Sequence, residues 1–565
     1  MVVTASRALF ARFHIAQADV PHQLERLRIA IETSRRELEE IQERIGVEAP
    51  ADYRLILDAH LVMHRDELLI DSARQALESG LINAEWAVER AVRTINRHLQ
   101  QSPHEYFRDR AADIEHVGQR IIGQLVGRSS VLPRVAKDGV LVLDDLGPAD
   151  AAQLMAAPVA ALVTGLGTAT SHTAILARTL EIPSVVGVTG ITHLVGNGDR
   201  VIVDALRGRI LLGPDEIEVE QATERSRRYR DFTSRLRARG ARAVTRDGTE
   251  LTVQANVDLP DEVSTAVREG VPGVGLYRTE FLFMNRSTPP DEEEQFAAYR
   301  HVAETAAPHY VTLRTFDMGG DNLTQEQSLH QTPNPALGLR AVRLALARRA
   351  MFRCQLRAVL RAALHGNVRL MFPLVSGVPD FQRACEVLAE ARAELDDRGT
   401  SYGPLQVGVM VEVPSAVLMA DRLAQQADFL AVGTNDLVQY TLAVDRTNPA
   451  VAYLADPLDP AVLRLLSQVI RAATAAKKPV SMCGDMAANP FALPIVLGLG
   501  FRQLSLPISA LPLARAVSAS VDLAHATDVA RRALECDSAQ AVRLLVHDAF
   551  KSDLRSIWTE AEIVS

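Results

Sequence analysis

Val407-Gly-Val-Met-Val-Glu412-Val-Pro414 and, further on, Asp428-Phe-Leu-Ala-Val-Gly433-Thr-Asn435-Asp436 decide the fold. Each is a short Val-rich run ending in a carboxylate, and a helical pattern separates them. Length and β-branched content mark such runs as strands. The same alternation extends outward in both directions. Strands are predicted at Leu251–Val257, Gly273–Thr279, Tyr310–Phe316, Val368–Val375, Val407–Val413, Asp428–Thr434, Pro479–Asp485 and Gln503–Pro507. Helical spacing fills 261–269, 293–305, 378–396, 459–476 and 511–520. Eight strand–helix units over this length fit a (β/α)8 TIM barrel, typically ~250 residues, whose chemistry sits at the C-terminal ends of the strands.

The rest of the chain has a different texture. Residues 22–127 read as nearly all helix, a small bundle in which His60 and His64 serve packing and surface roles. Residues 128–213 carry β-rich runs at Val140–Leu143, Val159–Val163, Val185–Val186, Val201–Val203 and Ile210–Leu212, a compact α/β module. Residues 214–240 are dense in Arg and Glu and read as a solvated linker helix. The expected fold is therefore multidomain α/β, divided at 1–127, 128–213, 214–240 and 241–565. No opening strand is expected before Pro21, which leaves open whether that first segment is complete.

Composition narrows the function. The 565 residues are 47% hydrophobic and 23% charged, an ordinary globular balance. A net charge of −9 and the lack of a Lys/Arg cluster argue against nucleic acid. No signal-peptide pattern opens the chain, and no apolar run approaches the ~20 residues of a membrane span. Cys354, Cys385, Cys483 and Cys536 show neither metal nor disulfide spacing, which suits a reducing cytoplasm.

The reactive side chains gather at predicted strand ends. Arg278-Thr-Glu280 closes the second strand. Arg314 lies in the third, which runs into Asp317-Met-Gly-Gly-Asp321, and Asn334-Pro-Ala-Leu-Gly-Leu-Arg340 follows in the loop. Glu412 ends the fifth, Asn435-Asp436 the sixth with Arg446 beyond, and Cys483-Gly-Asp485 the seventh. Several arginines can grip phosphate and carboxylate together. Glu412 and Asp436, on adjacent strands, can hold Mg²⁺. Cys483 is placed to act as a general acid. Singly, each has a plain structural explanation, as an ion pair or a small buried thiol. Their joint placement does not. Cys354, Cys385 and Cys536 are read as structural.

A second motif stands apart from the barrel. Gly165-Leu-Gly-Thr-Ala169 runs into Thr170-Ser-His172-Thr-Ala-Ile-Leu-Ala-Arg178, whose apolar residues have helical spacing up to Pro183. Thr170 or Ser171 caps the helix, so His172 falls in its first turn. Unpaired N–H groups and the positive end of the helix dipole favour a phosphoryl group there.

These motifs, over nearly the whole chain, resemble the phosphoenolpyruvate–protein phosphotransferases (the enzyme I family of the phosphotransferase system) among the phosphoenolpyruvate-utilising enzymes. The resemblance implies that His172 is phosphorylated at Nε2. It further implies that Arg278, Arg314, Asn435, Asp436 and Arg446 bind phosphoenolpyruvate, with Arg340 assisting. Glu412 and Asp436 become magnesium ligands, and Cys483 the proton donor. In such enzymes the phosphohistidine domain swivels, an HPr-like phosphocarrier docks on the helical bundle, and a homodimer forms through the barrel. Three positions depart from the family pattern: Asn322 for a lysine, Ala151 for a threonine, and Gly167-Thr-Ala169 for Gly-Gly-Arg. Two alternatives compete. One is a phosphoenolpyruvate sensor with weak turnover, supported by those departures. The other is an ATP-linked pyruvate-phosphorylating enzyme, which would need a further ATP-binding domain.

Overall fold

The computed structural model describes residues 2–5, 10–45, 61–101 without 62, 65 and 66, 105–127, 139–147, 150, 154, 159–167, 173, 177, 182–319 without 239, 241 and 284–287, and 334–561 without 447, 449 and 450. Contacts divide the chain into one unit within residues 1–226 and another within 227–563.

In the first unit, helices Val20–Ile45, Glu67–Gly80, Ala84–Gln101 and Glu105–Leu125 share an apolar core. Leu27, Leu77, Val88, Val117 and Ile121 fill it, each at most 3% exposed. Arg26 ties the bundle together: its Nη2 donates to Glu85 Oε1 at 2.6 Å and to Leu125 O at 3.0 Å. His64 is buried with its Nε2 2.8 Å from Ser34 Oγ, while His60 lies outside the described residues.

The sheet of this unit corrects the sequence reading. Val2–Ala5 is a strand, β1, pairing in parallel with β2 (Val140–Leu143). β3 (Ala161–Thr164) and β4 (Ser184–Val185) complete the order β1-β2-β3-β4. Four residues, Val-Val-Thr-Ala, carry no periodicity of their own. Only their distant partner makes them a strand. β5 (Val201–Asp204) and β6 (Arg209–Leu212) form a separate antiparallel ribbon.

Helix Glu216–Ala238 is largely exposed, with Phe232 and Leu236 buried in the core of the second unit. That unit is a closed parallel barrel of eight strands: β7 (Thr252–Val257), β8 (Gly273–Arg278), β9 (Tyr310–Arg314), β10 (Asn367–Phe372), β11 (Gln406–Val411), β12 (Phe429–Val432), β13 (Val480–Met482) and β14 (Gln503–Pro507). The pairing of β14 with β7 closes the cylinder. Six of the eight strands stop short of their expected ends, β12 at Val432 and β13 at Met482, and the other two end where expected. Glu412, Asp436 and Cys483 therefore lie just past the ends of their strands.

Aromatic side chains in edge-to-face contact join the barrel to its outer helices. Phe316–Phe352, Phe352–Phe372 and Phe372–Phe381 have ring centroids 6.4, 5.9 and 6.1 Å apart. Leu276, Met371, Met410, Phe429, Ala431 and Cys483 pack together as a separate buried cluster. Gly408 makes room for Phe429, since a Cβ there would run into the ring. Among the described residues no helix is long and apolar enough to cross a membrane.

Candidate active site at the barrel mouth

Side chains at or just after six strand ends, with Arg340 and Arg446 from two segments farther along the chain, converge at the mouth. Arg314, the last residue of β9, is 11% exposed at its side chain. Its Nη2 donates to Glu280 Oε1 at 2.8 Å, and its Nη1 lies 3.3 Å from Asp317 Oδ2. Arg340 reaches Asp317 Oδ1 through Nη2 at 2.9 Å and Asp436 Oδ2 at 3.1 Å, and its Nη1 donates to Tyr440 OH at 3.1 Å. Arg446 Nη2 stands 3.4 Å from Asp436 Oδ1. Arg278, more exposed, donates to Asp258 Oδ1 at 3.0 Å.

Glu412 is held from below. The Leu374 N–H donates to its Oε1 at 2.6 Å. Leu374 has φ 52°, a left-handed conformation that is costly for a leucine. Ligand oxygens of Asp317, Glu412 and Asp436 lie within 4.8 Å of one another. The Glu412 carboxyl is pushed well above the usual carboxylate range by burial, then by Asp436 and Asp317, against the pull of Arg314. Burial alone would lower the Arg314 guanidinium, but Glu280, Asp317 and Glu412 outweigh it and raise it. Glu280, Asp317, Glu412 and Asp436 thus face three guanidinium groups, those of Arg314, Arg340 and Arg446. An all-oxygen donor set with surplus negative charge suits a hard divalent cation such as Mg²⁺.

Cys483 is 3% exposed. Its backbone N–H and its Sγ both donate to Val432 O, at 3.0 and 3.4 Å. Burial pushes the thiol up to about 12, with Glu412 adding to burial while Arg314 and Arg278 oppose it. The sulfur therefore keeps its proton at neutral pH. Asn435 is bonded to Asp485 in both directions: Nδ2 donates to Oδ2 at 2.9 Å, and the Asp485 N–H donates to Oδ1 at 2.9 Å.

Three stretches of the chain match models of phosphoenolpyruvate-utilising enzymes: residues 2–110 the N-terminal domain, 135–208 the mobile domain, and 234–523 the phosphoenolpyruvate-binding domain. The chain is 39% identical over 536 residues to the phosphoenolpyruvate-protein phosphotransferase of Geobacillus stearothermophilus, covering 94% of this chain and 93% of the relative. It is 37% identical to that of Staphylococcus aureus, covering 94% of each, and 37% identical to that of Listeria innocua serovar 6a, covering 94% and 93%. The chain belongs to the phosphoenolpyruvate-protein phosphotransferase family.

Of the residues expected to serve a phosphoenolpyruvate-protein phosphotransferase, the structure brings Arg314, Arg340, Glu412, Asp436 and Arg446 into one charged cluster. Arg278 and Cys483 lie near enough to influence each other electrostatically. Asn435 precedes Asp436 in the first turn of helix Thr434–Leu442. His172, with Ala151, Ala169 and Asn322, lies outside the described residues. The approach to it is visible: Gly167 and Gly187 have φ 104° and 76°, and a Cβ on Gly187 would stand 2.9 Å from Gly167 O. Only glycines fit that crossing.

Sequence reasoning gave no role to Asp317, Glu280 or Asp258, the carboxylates that hold Arg314, Arg340 and Arg278. Each follows a barrel strand by one to three residues. A carboxylate at that offset beside an arginine-bearing strand end is the signal that was there to use.

Proposed function

We propose that phosphoenolpyruvate binds at this mouth and gives its phosphoryl group to His172, which passes it to a histidine of a small HPr-like phosphocarrier, with release of pyruvate. Membership of the phosphoenolpyruvate-protein phosphotransferases makes the chain an enzyme of the phosphotransferase system. The observation that carries the residue assignments is the cluster of Arg314, Arg340 and Arg446 interleaved with three carboxylates whose ligand atoms share a 4.8 Å neighbourhood.

Each group then has a task. Arg278, Arg314, Arg340 and Arg446 exchange their carboxylate partners for substrate phosphate and carboxylate oxygens. Asn435 and Asp436 complete the contacts. Glu412 and Asp436, with Asp317 beside them, hold Mg²⁺, which supplies neutralisation of the charge that builds on the departing phosphoryl group. The protonated Cys483 Sγ gives its hydrogen to the methylene carbon of the enolate, making the methyl group of pyruvate, and water later reprotonates the thiolate. Residues 1–127 bind the carrier, 128–213 bear the phosphohistidine, 214–240 link, and 241–565 bind substrate and pair into a homodimer. The protein works in the cytoplasm, where its four free thiols stay reduced.

The test is direct labelling. Incubation with phosphoenolpyruvate and Mg²⁺ is expected to give an acid-labile, alkali-stable phosphate on His172 Nε2, with pyruvate released on addition of a phosphocarrier. His172→Ala is expected to lose the label and keep its circular dichroism spectrum. A label that survives in that variant removes His172, and absence of pyruvate points to a sensor instead of a transferase.

A further inference from the structure

A buried polar chain runs behind the arginines, from the outside of the barrel to the ends of β8 and β9. The Phe316 N–H donates to Gln355 Oε1 at 3.2 Å. Gln355 Nε2 donates to Thr279 Oγ1 at 3.1 Å and to Tyr299 OH at 3.0 Å. Thr279 Oγ1 donates onward to Arg314 O at 2.9 Å. Tyr299 OH donates to Gln295 Oε1 at 3.1 Å, and Gln295 Nε2 to Pro290 O at 2.9 Å. Phe316, Gln355, Thr279, Tyr299 and Gln295 are each at most 1% exposed.

The direction of every bond follows from one end. A backbone N–H can only donate, so the Gln355 atom facing Phe316 is its oxygen, and its NH₂ must face the two hydroxyls. Both hydroxyls then accept from Gln355 and donate onward, Thr279 to Arg314 O and Tyr299 to Gln295. Burial raises the Tyr299 phenol, so its proton stays in place. No donor in the chain is left over. Such a network is rigid because any rotation strands a buried polar group.

What it holds is the segment from Arg314 to Asp317. Pairing of β9 with β10 ends at Arg314, and Thr315 N makes one more bond, to Met371 O at 3.0 Å. Beyond that point the backbone is fastened by Gln355 at Phe316 and by Glu280 Oε1 at Asp317 N, 2.6 Å. We propose that Gln355, on the outer helix Arg349–Ala362, is a positioning residue that fixes the Arg314–Asp317 segment and thereby the aim of the phosphate-gripping arginine and of a carboxylate in the cation cluster. This rests on the substrate role assigned above to Arg314.

The test measures phosphoenolpyruvate binding by calorimetry in Mg²⁺ buffer to the full-length chain carrying His172→Ala, which cannot take up the phosphoryl group, with melting temperature on the same preparations. Gln355→Met and Gln295→Met remove the same amide from the same network at similar burial, so both are expected to lower the melting temperature. Only Gln355→Met touches the strand ends, and it is expected to weaken binding about tenfold, the effect of one misaimed charge-assisted contact. An unchanged dissociation constant in Gln355→Met overturns the proposal, as does an equal weakening in Gln295→Met. Thr279→Val keeps the volume and removes one hydroxyl. It is expected to weaken binding about threefold, and it decides the matter alone if Gln355→Met does not fold: unchanged binding overturns the proposal. Arg314→Ala separates the two layers. If it binds normally, the substrate assignment falls and the positioning role falls with it. If it binds poorly while Gln355→Met binds normally, only the positioning role falls.

Discussion

At the N-terminal end of the barrel, Arg369 lies flat over Tyr310, 3.6 Å from the ring centroid, with Phe429 at 5.7 Å. At the C-terminal end, Arg314 stands among Glu280, Asp317 and Glu412. Both keep a buried Nε with no hydrogen-bond partner among the described residues, but one cation is satisfied by π-faces. The other is held by carboxylates. Aromatic rings close a cylinder and ask for no further partner. Carboxylates within 4.8 Å of one another do ask for one, because their repulsion is relieved only by a proton or a cation. The floor is held by ring faces, while the mouth is held by opposite charges.

That contrast can be broken first at Glu412. Glu412→Ala is expected to cut phosphoryl transfer by more than ~10³-fold, since it removes both a cation ligand and the neutralisation that depends on it. Magnesium dependence of the residual rate, if it matched the wild type, would place the ligands elsewhere. Next comes Cys483→Ser, which keeps size but substitutes a far weaker acid. It is expected to slow pyruvate formation by ~10²–10³-fold with near-normal substrate affinity. Single-turnover rate, dissociation constant and melting temperature on one preparation decide it, and a change confined to melting temperature would return Cys483 to packing. Its thiol, pushed up to about 12, is also expected to resist alkylation at pH 8, when it remains protonated.

The remaining two tests address the floor. Gly408→Ala forces a methyl into the Phe429 ring and is expected to cost ~1–3 kcal/mol of stability, read from denaturant unfolding, without changing turnover per folded molecule. Arg369→Met exchanges a cation–π contact for relief of an unsatisfied nitrogen. Its net effect is expected to stay within ~1 kcal/mol, with no change in substrate affinity. A loss of substrate affinity in either variant would mean that the two ends are coupled through the interior.

The barrel was legible because its strands are largely buried, and some, such as Gln406–Val411 and Phe429–Val432, read as near-continuous apolar runs between turn residues. Their C-terminal ends were overrun by a few residues in most cases. Phe316, Val375 and Val413 are as strand-like as their predecessors, and only the loss of a ladder partner ends the strand. Val2–Ala5 was invisible for the opposite reason, since it becomes a strand through Val140–Leu143, far along the chain. At the site, the arginines and the Glu412 and Asp436 pair could be read because they punctuate apolar runs. Asp317 and Glu280 could not be assigned, since a charged residue in a loop does not disclose which way it points. Gln355 looked like any polar residue on a helix that has to face water somewhere.

For anyone redesigning this barrel to take another substrate, two backbone positions set the limits. A single added carbon at Gly433 would stand 2.7 Å from Glu412 Oε2, and one at Gly484 would fall on the Thr434 hydroxyl. Diversity introduced around Asp436, in the first turn of helix Thr434–Leu442, and around Cys483 is therefore spent on dead sequences unless both glycines are fixed in the library. The productive choices are the more exposed arginines, Arg278 and Arg446, whose side chains are 37% and 44% accessible.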